Sequence, residues 1–172
     1  KTFRICEIEF YYCGKNHLDT YTHCSDEQKM KCKFYFHRLK NGTYKSGTYK
    51  CLDMTLSPND ETYFGILIRS LYDYDDRKFI EGPCNSVNEI LKQFSCKDVK
   101  EFVFGKVLPL DIYDEKYDFY LADTENMKHE QIYSGPRIGL SEKYPNCQLK
   151  PYRYASKIGN IKKQRKTFKK LI

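Results

Sequence analysis

Apolar and polar residues alternate from residue 3 to residue 12, as they do in a β-strand with one buried face. Because side chains in a strand point alternately to opposite faces, Glu7 and Glu9 in the stretch EIEFYY lie on the same side. Residues 13–16, with the sequence CGKN, end the pattern with turn-forming residues. We therefore predict a strand over residues 3–12 that carries two carboxylates on one face.

Further strands are predicted where short apolar runs are bounded by turn residues. They cover residues 34–39, 43–56, 63–71, 101–107 and 117–122, and a turn leads into another strand over residues 135–141. The first two runs flank the turn Lys40-Asn41-Gly42, and an Asn-Gly turn between strand-like runs is typical of a β-hairpin.

A helix is predicted after the EGPC turn at residues 81–84, because apolar residues then recur at intervals of three and four. Its N-cap is either Asn85 or Ser86. A shorter helix is predicted over residues 25–31, with Ser25 as its N-cap. Many short strands with few helices predict an α+β fold, in one domain built on a curved, mostly antiparallel β-sheet.

Composition supports a folded domain with a charged surface. The chain has 172 residues, of which 40% are hydrophobic and 16% aromatic, and its mean hydropathy is −0.74. A chain of this length buries a core of its own without cross-links. Its apolar runs are all shorter than the ~18–20 residues that cross a bilayer, so we predict no membrane partner.

Eight cysteines are spread over the whole chain, and no two of them form a C-x-x-C pair. They would permit disulfides in a secreted protein or reduced thiols in an intracellular one, and we predict the second, because the domain is large and some cysteines fall inside predicted strands. Their spacing with histidine matches no zinc site, so we predict no metal and no other cofactor.

The net charge of +7 is unevenly distributed. Lysine and arginine are frequent in residues 159–172. We therefore divide the chain into a main domain, residues 1–158, and a basic C-terminal tail, residues 159–172. Such a tail is either a solvated end or a contact for phosphates, and it also resembles a nuclear address. We therefore predict an intracellular protein, nuclear rather than cytoplasmic.

Four charged or ionisable side chains interrupt apolar runs: Glu9, His37, Asp53 and Arg69. A buried charge is costly unless it is paired, so these residues need partners. One interpretation is a structural ion pair, for example Glu9 with Arg69. The other is a site in which a carboxylate, held in a partly dry pocket beside a cation, activates a water molecule.

Short motifs in a fixed order carry a resemblance to a known family. They are EIEFY (7–11), DTYTH (19–23), GTYKCLDMT (47–55), GILIR (65–69), EGP (81–83), RIGLS (137–141) and KPYRY (150–154). In this order, over about residues 4–155, they resemble the alkyladenine (3-methyladenine) DNA glycosylases. The resemblance implies a divergent member of that family, with its fold and a role in base excision repair.

The resemblance also implies how the reaction is carried out. These enzymes flip a damaged purine out of DNA and hydrolyse its N-glycosidic bond without a metal. Glu9 falls at the acidic residue that activates the attacking water. Arg69 and the backbone carbonyl of Ile138 fall at the groups that hold this water.

Three further residues are implied to bind the flipped base. Tyr11 falls at an aromatic residue that stacks on the base, and His23 at a histidine on the opposite side of the pocket. Asp53 takes the place of an asparagine that contacts the base. The chain departs from the family in this asparagine, in the longer segment between Tyr11 and His23, and in having no clear wedge tyrosine near residues 43–46.

Basic residues outside this pocket are candidates for contacts with nucleic acid, DNA rather than RNA. They are Lys45, Lys50, Arg137, Arg153, Lys162, Lys163 and Arg165. An alternative function keeps the same fold without catalysis: a module that binds nucleic acid or a protein partner within a larger assembly.

Overall fold

A computed structural model describes residues 1–107, 110–123 and 130–171. They form a single α+β domain around one eight-stranded antiparallel sheet with few helices. The strands are β1 (Phe3–Cys13), β2 (Lys31–Phe36), β3 (Leu52–Leu56), β4 (Tyr63–Asp73), β5 (Lys78–Glu81), β6 (Tyr133–Gly135), β7 (Arg153–Ala155) and β8 (Lys169–Lys170).

The sheet is centred on its two longest strands, β1 and β4, which pair along almost their whole length. The strand order is β2-β3-β4-β1-β7-β6-β8, and β5 pairs with the second half of β4. The α-helices are α1 (Pro83–Gln93), α2 (Val99–Phe102) and α3 (Pro145–Gln148), and a π-helical turn (Val103–Val107) follows α2.

The two faces of the sheet differ in chemistry, because successive side chains along each strand point to opposite faces and the charged side chains of β1 and β3 point to the same one. Phe10, Ile66 and Met54 are direct partners across three strands and share the apolar face. This face packs under α1 and α2 to form the hydrophobic core. The next residues along the same strands, Glu9 and Asp53, are both partners of Leu67 and lie on the other face. The sheet therefore separates the core from a polar face.

Several predicted elements agree with the structure. Strands β1 and β4 confirm the predictions over residues 3–12 and 63–71. Strands β2 and β3 do pair antiparallel. Their connection is longer than the Asn-Gly turn predicted, because the first half of residues 43–56 contains a 3₁₀ turn (Gly47–Tyr49) and the strand begins only at Leu52.

Other predicted boundaries are wrong. Residues 101–107 are helical rather than extended, because the Asp98 side chain accepts a hydrogen bond from the backbone N–H of Glu101 and starts a helix there. Residues 117–122 contain no strand: Phe119 instead packs its ring into the core against Phe34 and Phe102.

The remaining differences are at element ends. The predicted strand over residues 135–141 is replaced by β6, which ends where that stretch begins. Helix α1 starts at Pro83 with Gly82 as its N-cap, ahead of Asn85 and Ser86, because proline fits the first turn of a helix. Ser25 is at the predicted N-cap position, but the element that follows is a short 3₁₀ helix (Asp26–Lys29).

The basic C-terminal segment packs on the domain. Ile161 is fully buried, and β8 pairs with β6 at the edge of the sheet. The backbone N–H groups of Lys162 and Lys163 donate to the Glu81 carboxylate, at 3.0 and 2.8 Å. As far as residue 171 the segment therefore continues the sheet domain, where the sequence predicted a separate tail. No helix in the described part of the chain is both long and apolar enough to span a membrane.

Candidate functional site

A cavity of about 510 Å³ opens on the polar face of the sheet. Its walls come from β1, β3 and β4, from the loop that precedes β2, and from the first turn of α1. The residues that matter most in its lining are Tyr11, His23, Gln28, Asp53, Arg69 and Ile138. Five of these six were predicted as site residues from the sequence, and the fold brings them to one cavity.

Glu9 is completely buried directly behind the cavity wall. The hydroxyl of Tyr11 donates to Oε2 of Glu9 at 2.8 Å, and Arg69 Nη1 lies 3.3 Å from the same oxygen. The backbone N–H of Ile138 donates to Oε1 at 2.9 Å. Ile138 was assigned a role through its carbonyl, and the contact that the structure shows is made by its N–H. Glu9 is thus fixed by three donors, all from residues that line the cavity.

The proton on the Tyr11 hydroxyl is held firmly. Burial of the side chain and the negative charge of Glu9 raise the pKa of Tyr11 well above its usual value. The hydroxyl therefore stays protonated and acts as the donor to Glu9. One face of the ring lies against the guanidinium of Arg137, whose central carbon is 4.5 Å from the ring centroid.

A second carboxylate, Glu7, supports the first. Glu7 Oε1 accepts a hydrogen bond from Arg153 Nε at 2.6 Å and lies 3.4 Å from Arg69 Nε. Ser70 donates its hydroxyl to the other oxygen of Glu7. Arg69 therefore bridges two carboxylates, and Arg153 supplies the second positive charge, so that this buried group of four ionised side chains is neutral as a whole.

Arg137 holds the segment that carries Ile138. Its guanidinium forms a two-pronged ion pair with Asp19, in which Nη2 lies 2.9 Å from Oδ1. It also donates to the backbone carbonyl of Phe10 at 3.0 Å. The DTYTH and RIGLS motifs are therefore joined in space, and this contact places the Ile138 N–H beside Glu9.

His37 and Asp53 form a buried pair at another part of the cavity wall, with His37 Nε2 2.8 Å from Asp53 Oδ1. Burial alone would lower the pKa of His37, but the charge of Asp53 and the hydrogen bond to it raise this pKa to about 9. His23 stands at the exposed rim, with its ring centroid 4.3 Å from that of His37. Desolvation of its ring and the positive charge of His37 lower the pKa of His23 to about 4.

These two touching imidazoles should titrate far apart. In an NMR titration of the protein we expect His23 to stay neutral down to about pH 4 and His37 to stay protonated up to about pH 9. Because the pKa of His37 is higher in the folded protein than its ordinary 6.5, its stabilising contribution should be complete below about pH 6.5. It should be lost as the pH rises through about 9. Titration of both rings near pH 6.5 would contradict this assignment.

Gln28 also lines the cavity, and it was not predicted as a site residue from the sequence. It is almost fully buried, and its Oε1 accepts a hydrogen bond from the backbone N–H of Ser25 at 3.4 Å. Its position follows from Gly65, because a Cβ built on that glycine would lie 2.8 Å from Gln28 Nε2 and 2.5 Å from Asp53 Oδ2. Gly65, the first residue of the GILIR motif, was the only indication in the sequence that side chains approach this strand closely. The motif does not indicate which side chains do so.

The predicted nucleic-acid contacts divide into three groups. Lys45 and Lys163 line the cavity. Lys50 is half-buried, while Lys162 and Arg165 are exposed. Arg137 and Arg153 are buried in ion pairs. The last two were predicted to contact nucleic acid, and the structure instead uses their charges to neutralise buried Asp19 and Glu7.

The fold and the cavity define an α+β protein with a buried carboxylate–arginine centre behind a polar pocket. Among the described residues, no group of three or more His, Cys, Asp and Glu side chains is arranged to hold a metal ion. No protein-family model matches the chain. The chain is 46% identical over 181 residues to the uncharacterized protein L759 of Acanthamoeba polyphaga mimivirus, in an alignment that covers 98% of this chain and 83% of that protein. The chain therefore belongs to the same family as L759.

Proposed function

We propose that the chain is a DNA base-excision glycosylase-like protein, which hydrolyses the N-glycosidic bond of a flipped, damaged or modified purine. The observation that carries this proposal is the placement of Glu9, a fully buried carboxylate oriented by three donors at the wall of a cavity. By resemblance we also assign the alkyladenine-glycosylase type of fold to its antiparallel sheet.

Glu9 acts as the general base in this proposal. It takes a proton from a water molecule as that water attacks the sugar carbon and the base departs. Among the described residues, Oε1 receives one hydrogen bond, from Ile138, while Oε2 is contacted by both Tyr11 and Arg69, so we assign the proton transfer to Oε1. Arg69 stabilises the ionised carboxylate, and the Ile138 carbonyl holds the water. The reaction needs neither a metal nor another cofactor.

The cavity suits a purine in size and lining. Its volume lies within the ~300–1,000 Å³ that is usual for small-molecule sites. Tyr11 offers an aromatic face as a stacking platform, while His23 and Asp53 contact the base. Lys45 and Lys163 line the cavity, and in this proposal they contact the phosphates of the DNA strand. A DNA partner agrees with the predicted nuclear location.

One observation favours a second candidate, a module of the same fold that binds nucleic acid or a protein partner without catalysis. Glu9 has no exposed surface, and Tyr11 and Arg69 stand between it and the cavity. A carboxylate held in this way also serves as a structural partner for Arg69. In that case the cavity binds a base, and the carboxylate maintains the shape of its wall.

Base release from oligonucleotides distinguishes the two candidates. Duplex and single-stranded oligonucleotides carrying hypoxanthine, ethenoadenine or alkylated adenine are incubated with the protein, and free base is measured by chromatography. The proposal expects release from at least one substrate. Tight binding to the same oligonucleotides with no release from any of them would overturn the enzyme and support the binding module.

A further inference from the structure

We propose that Asp53 and Gln28 together recognise the hydrogen-bonding edge of the bound purine, and that they select a 6-amino purine over a 6-oxo purine. This inference rests on the proposed function, because it takes the ligand of the cavity to be a purine base. It adds the chemical class of that base, and it gives Gln28 a role in specificity.

Asp53 presents a fixed acceptor. Its side chain is almost fully buried, and Oδ1 is engaged by His37 Nε2 at 2.8 Å. Oδ2 forms no hydrogen bond with any described residue, although Asp53 lines the cavity. The carboxylate cannot rotate without breaking its bond to a protonated imidazole, so Oδ2 stays oriented as an acceptor for a ligand.

Gln28 presents a fixed donor beside it. The backbone N–H of Ser25 must bond to the amide oxygen of Gln28, so the amide nitrogen points the other way. This nitrogen also has no hydrogen-bond acceptor among the described residues, and Gln28 lines the cavity. With 1% of its surface exposed, the side chain has little freedom to turn away.

Gly65 lets the two groups converge. A Cβ at this position would lie 2.5 Å from Asp53 Oδ2 and 2.8 Å from Gln28 Nε2, closer than carbon atoms approach such groups. Both atoms therefore occupy the space that any other residue would fill with its side chain. The floor of the cavity thus carries one acceptor and one donor next to each other.

This pair matches one edge of adenine. Adenine offers the N6 amino group as a donor and N7 as an acceptor on the same edge, whereas a 6-oxo purine offers two acceptors, O6 and N7. Asp53 Oδ2 accepts from the amino group, and Gln28 Nε2 donates to N7. A 6-oxo purine that its sugar holds in the same orientation would instead turn O6 toward the Asp53 carboxylate, although its N1–H and O6 would match the pair if the base turned over. In the fixed orientation, a site built to hydrogen-bond one group rejects an analogue that leaves it unpaired.

Binding of oligothymidylates that carry one 2′-fluoro-2′-deoxyadenosine or one 2′-fluoro-2′-deoxyinosine measures this selection, because these nucleotides resist hydrolysis and their sugar holds adenine and hypoxanthine in the same orientation. For the unaltered protein we expect adenine to bind at least about 10-fold more tightly than hypoxanthine. Asp53→Asn removes the charge that keeps His37 protonated, but the neutral imidazole with its proton on Nε2 still donates to the amide oxygen. The amide nitrogen then faces the purine, so a donor replaces the acceptor. We expect the preference for adenine to disappear or reverse in this variant.

Gln28→Met tests the donor of Gln28 separately from the acceptor of Asp53. It removes the donor to N7, which both bases carry, so both should bind several-fold more weakly while adenine remains preferred. Asp73→Asn is the matched control, because Asp73 is an equally buried aspartate outside the cavity. Both affinities should be unchanged in that control.

Two results would overturn the inference and leave base binding intact. One is equal affinity of the unaltered protein for adenine and hypoxanthine. The other is a preference that persists in Asp53→Asn when that variant remains folded by circular dichroism. If neither base binds and no oligonucleotide releases a base, the proposed function fails, and the inference fails with it.

Discussion

Replacing Glu9 by glutamine should lower the rate of base release by about 10²–10⁴-fold, the usual contribution of a general base. Glutamine keeps the size of the side chain and an oxygen that accepts a hydrogen bond, but it cannot take a proton from water. Arg69 retains Glu7 as an ionic partner at 3.4 Å, so the guanidinium does not become an isolated buried charge. Single-turnover release from the best oligonucleotide substrate measures the loss.

Measuring the affinity for the substrate shows whether Glu9→Gln has lost catalysis or substrate binding. Affinity of Glu9→Gln for the same oligonucleotide should stay near that of the unaltered protein, because Glu9 has no exposed surface with which to touch the ligand. Glu89→Gln is the matched control, since Glu89 is a buried glutamate on α1 outside the cavity. Release at the full rate by Glu9→Gln would show that Glu9 is not the general base, and another group would then have to activate the water.

The central strands and the core were predictable because their pattern is local. In β1, alternation indicates which side chains share a face, and β4 follows from an apolar run bounded by turn residues. The α1 helix follows from the spacing of Val87, Ile90 and Leu91. The wrong prediction of a strand over residues 101–107 also came from a local pattern. A short apolar run fits a buried strand and a buried helix equally well, and the choice was made by a cap at Asp98 that starts a helix.

The site was predictable only in part, for a different reason. Glu9 and Arg69 stood out as charges in apolar runs, and the structure places them 3.3 Å apart. Both interpretations of that pair, an ion pair and a centre that activates water, are compatible with this distance. Gln28 was not found because it lies in a short, polar helical segment, where the sequence does not distinguish a buried glutamine from an exposed one.

The role of Arg153 could not be predicted because its partners are distant in sequence. Its Nε contacts Glu7, its Nη2 donates to the Lys163 carbonyl at 2.9 Å, and its guanidinium lies over the ring of Phe168 at 4.3 Å. From composition alone, an arginine next to a basic segment indicates phosphate binding. In the fold, this arginine joins that segment to the carboxylates behind the cavity.

Replacing Arg153 by methionine should therefore lower the free energy of unfolding by about 3–5 kcal/mol, the usual cost of removing one partner of a buried ion pair. Glu7 and Glu9 would then share the single charge of Arg69. The Lys163 carbonyl would also lose its donor, so the segment beyond Ile161 should exchange its amide hydrogens faster. Urea denaturation measures the first effect, and hydrogen exchange followed by mass spectrometry measures the second.

A double-mutant cycle separates the lost charge pair from the lost packing. Glu7→Gln alone should also be destabilising, because it leaves Arg153 buried without its carboxylate. The double variant should be destabilised by less than the sum of the two single changes, since it removes both charges together. Strictly additive losses, or a loss below about 1 kcal/mol in Arg153→Met, would show that the pair is not what anchors the C-terminal segment to the sheet. A coupling on the order of 2 kcal/mol, as seen for interacting buried groups, would show that Arg153 and Glu7 act as a buried ion pair and that this pair contributes to anchoring the C-terminal segment.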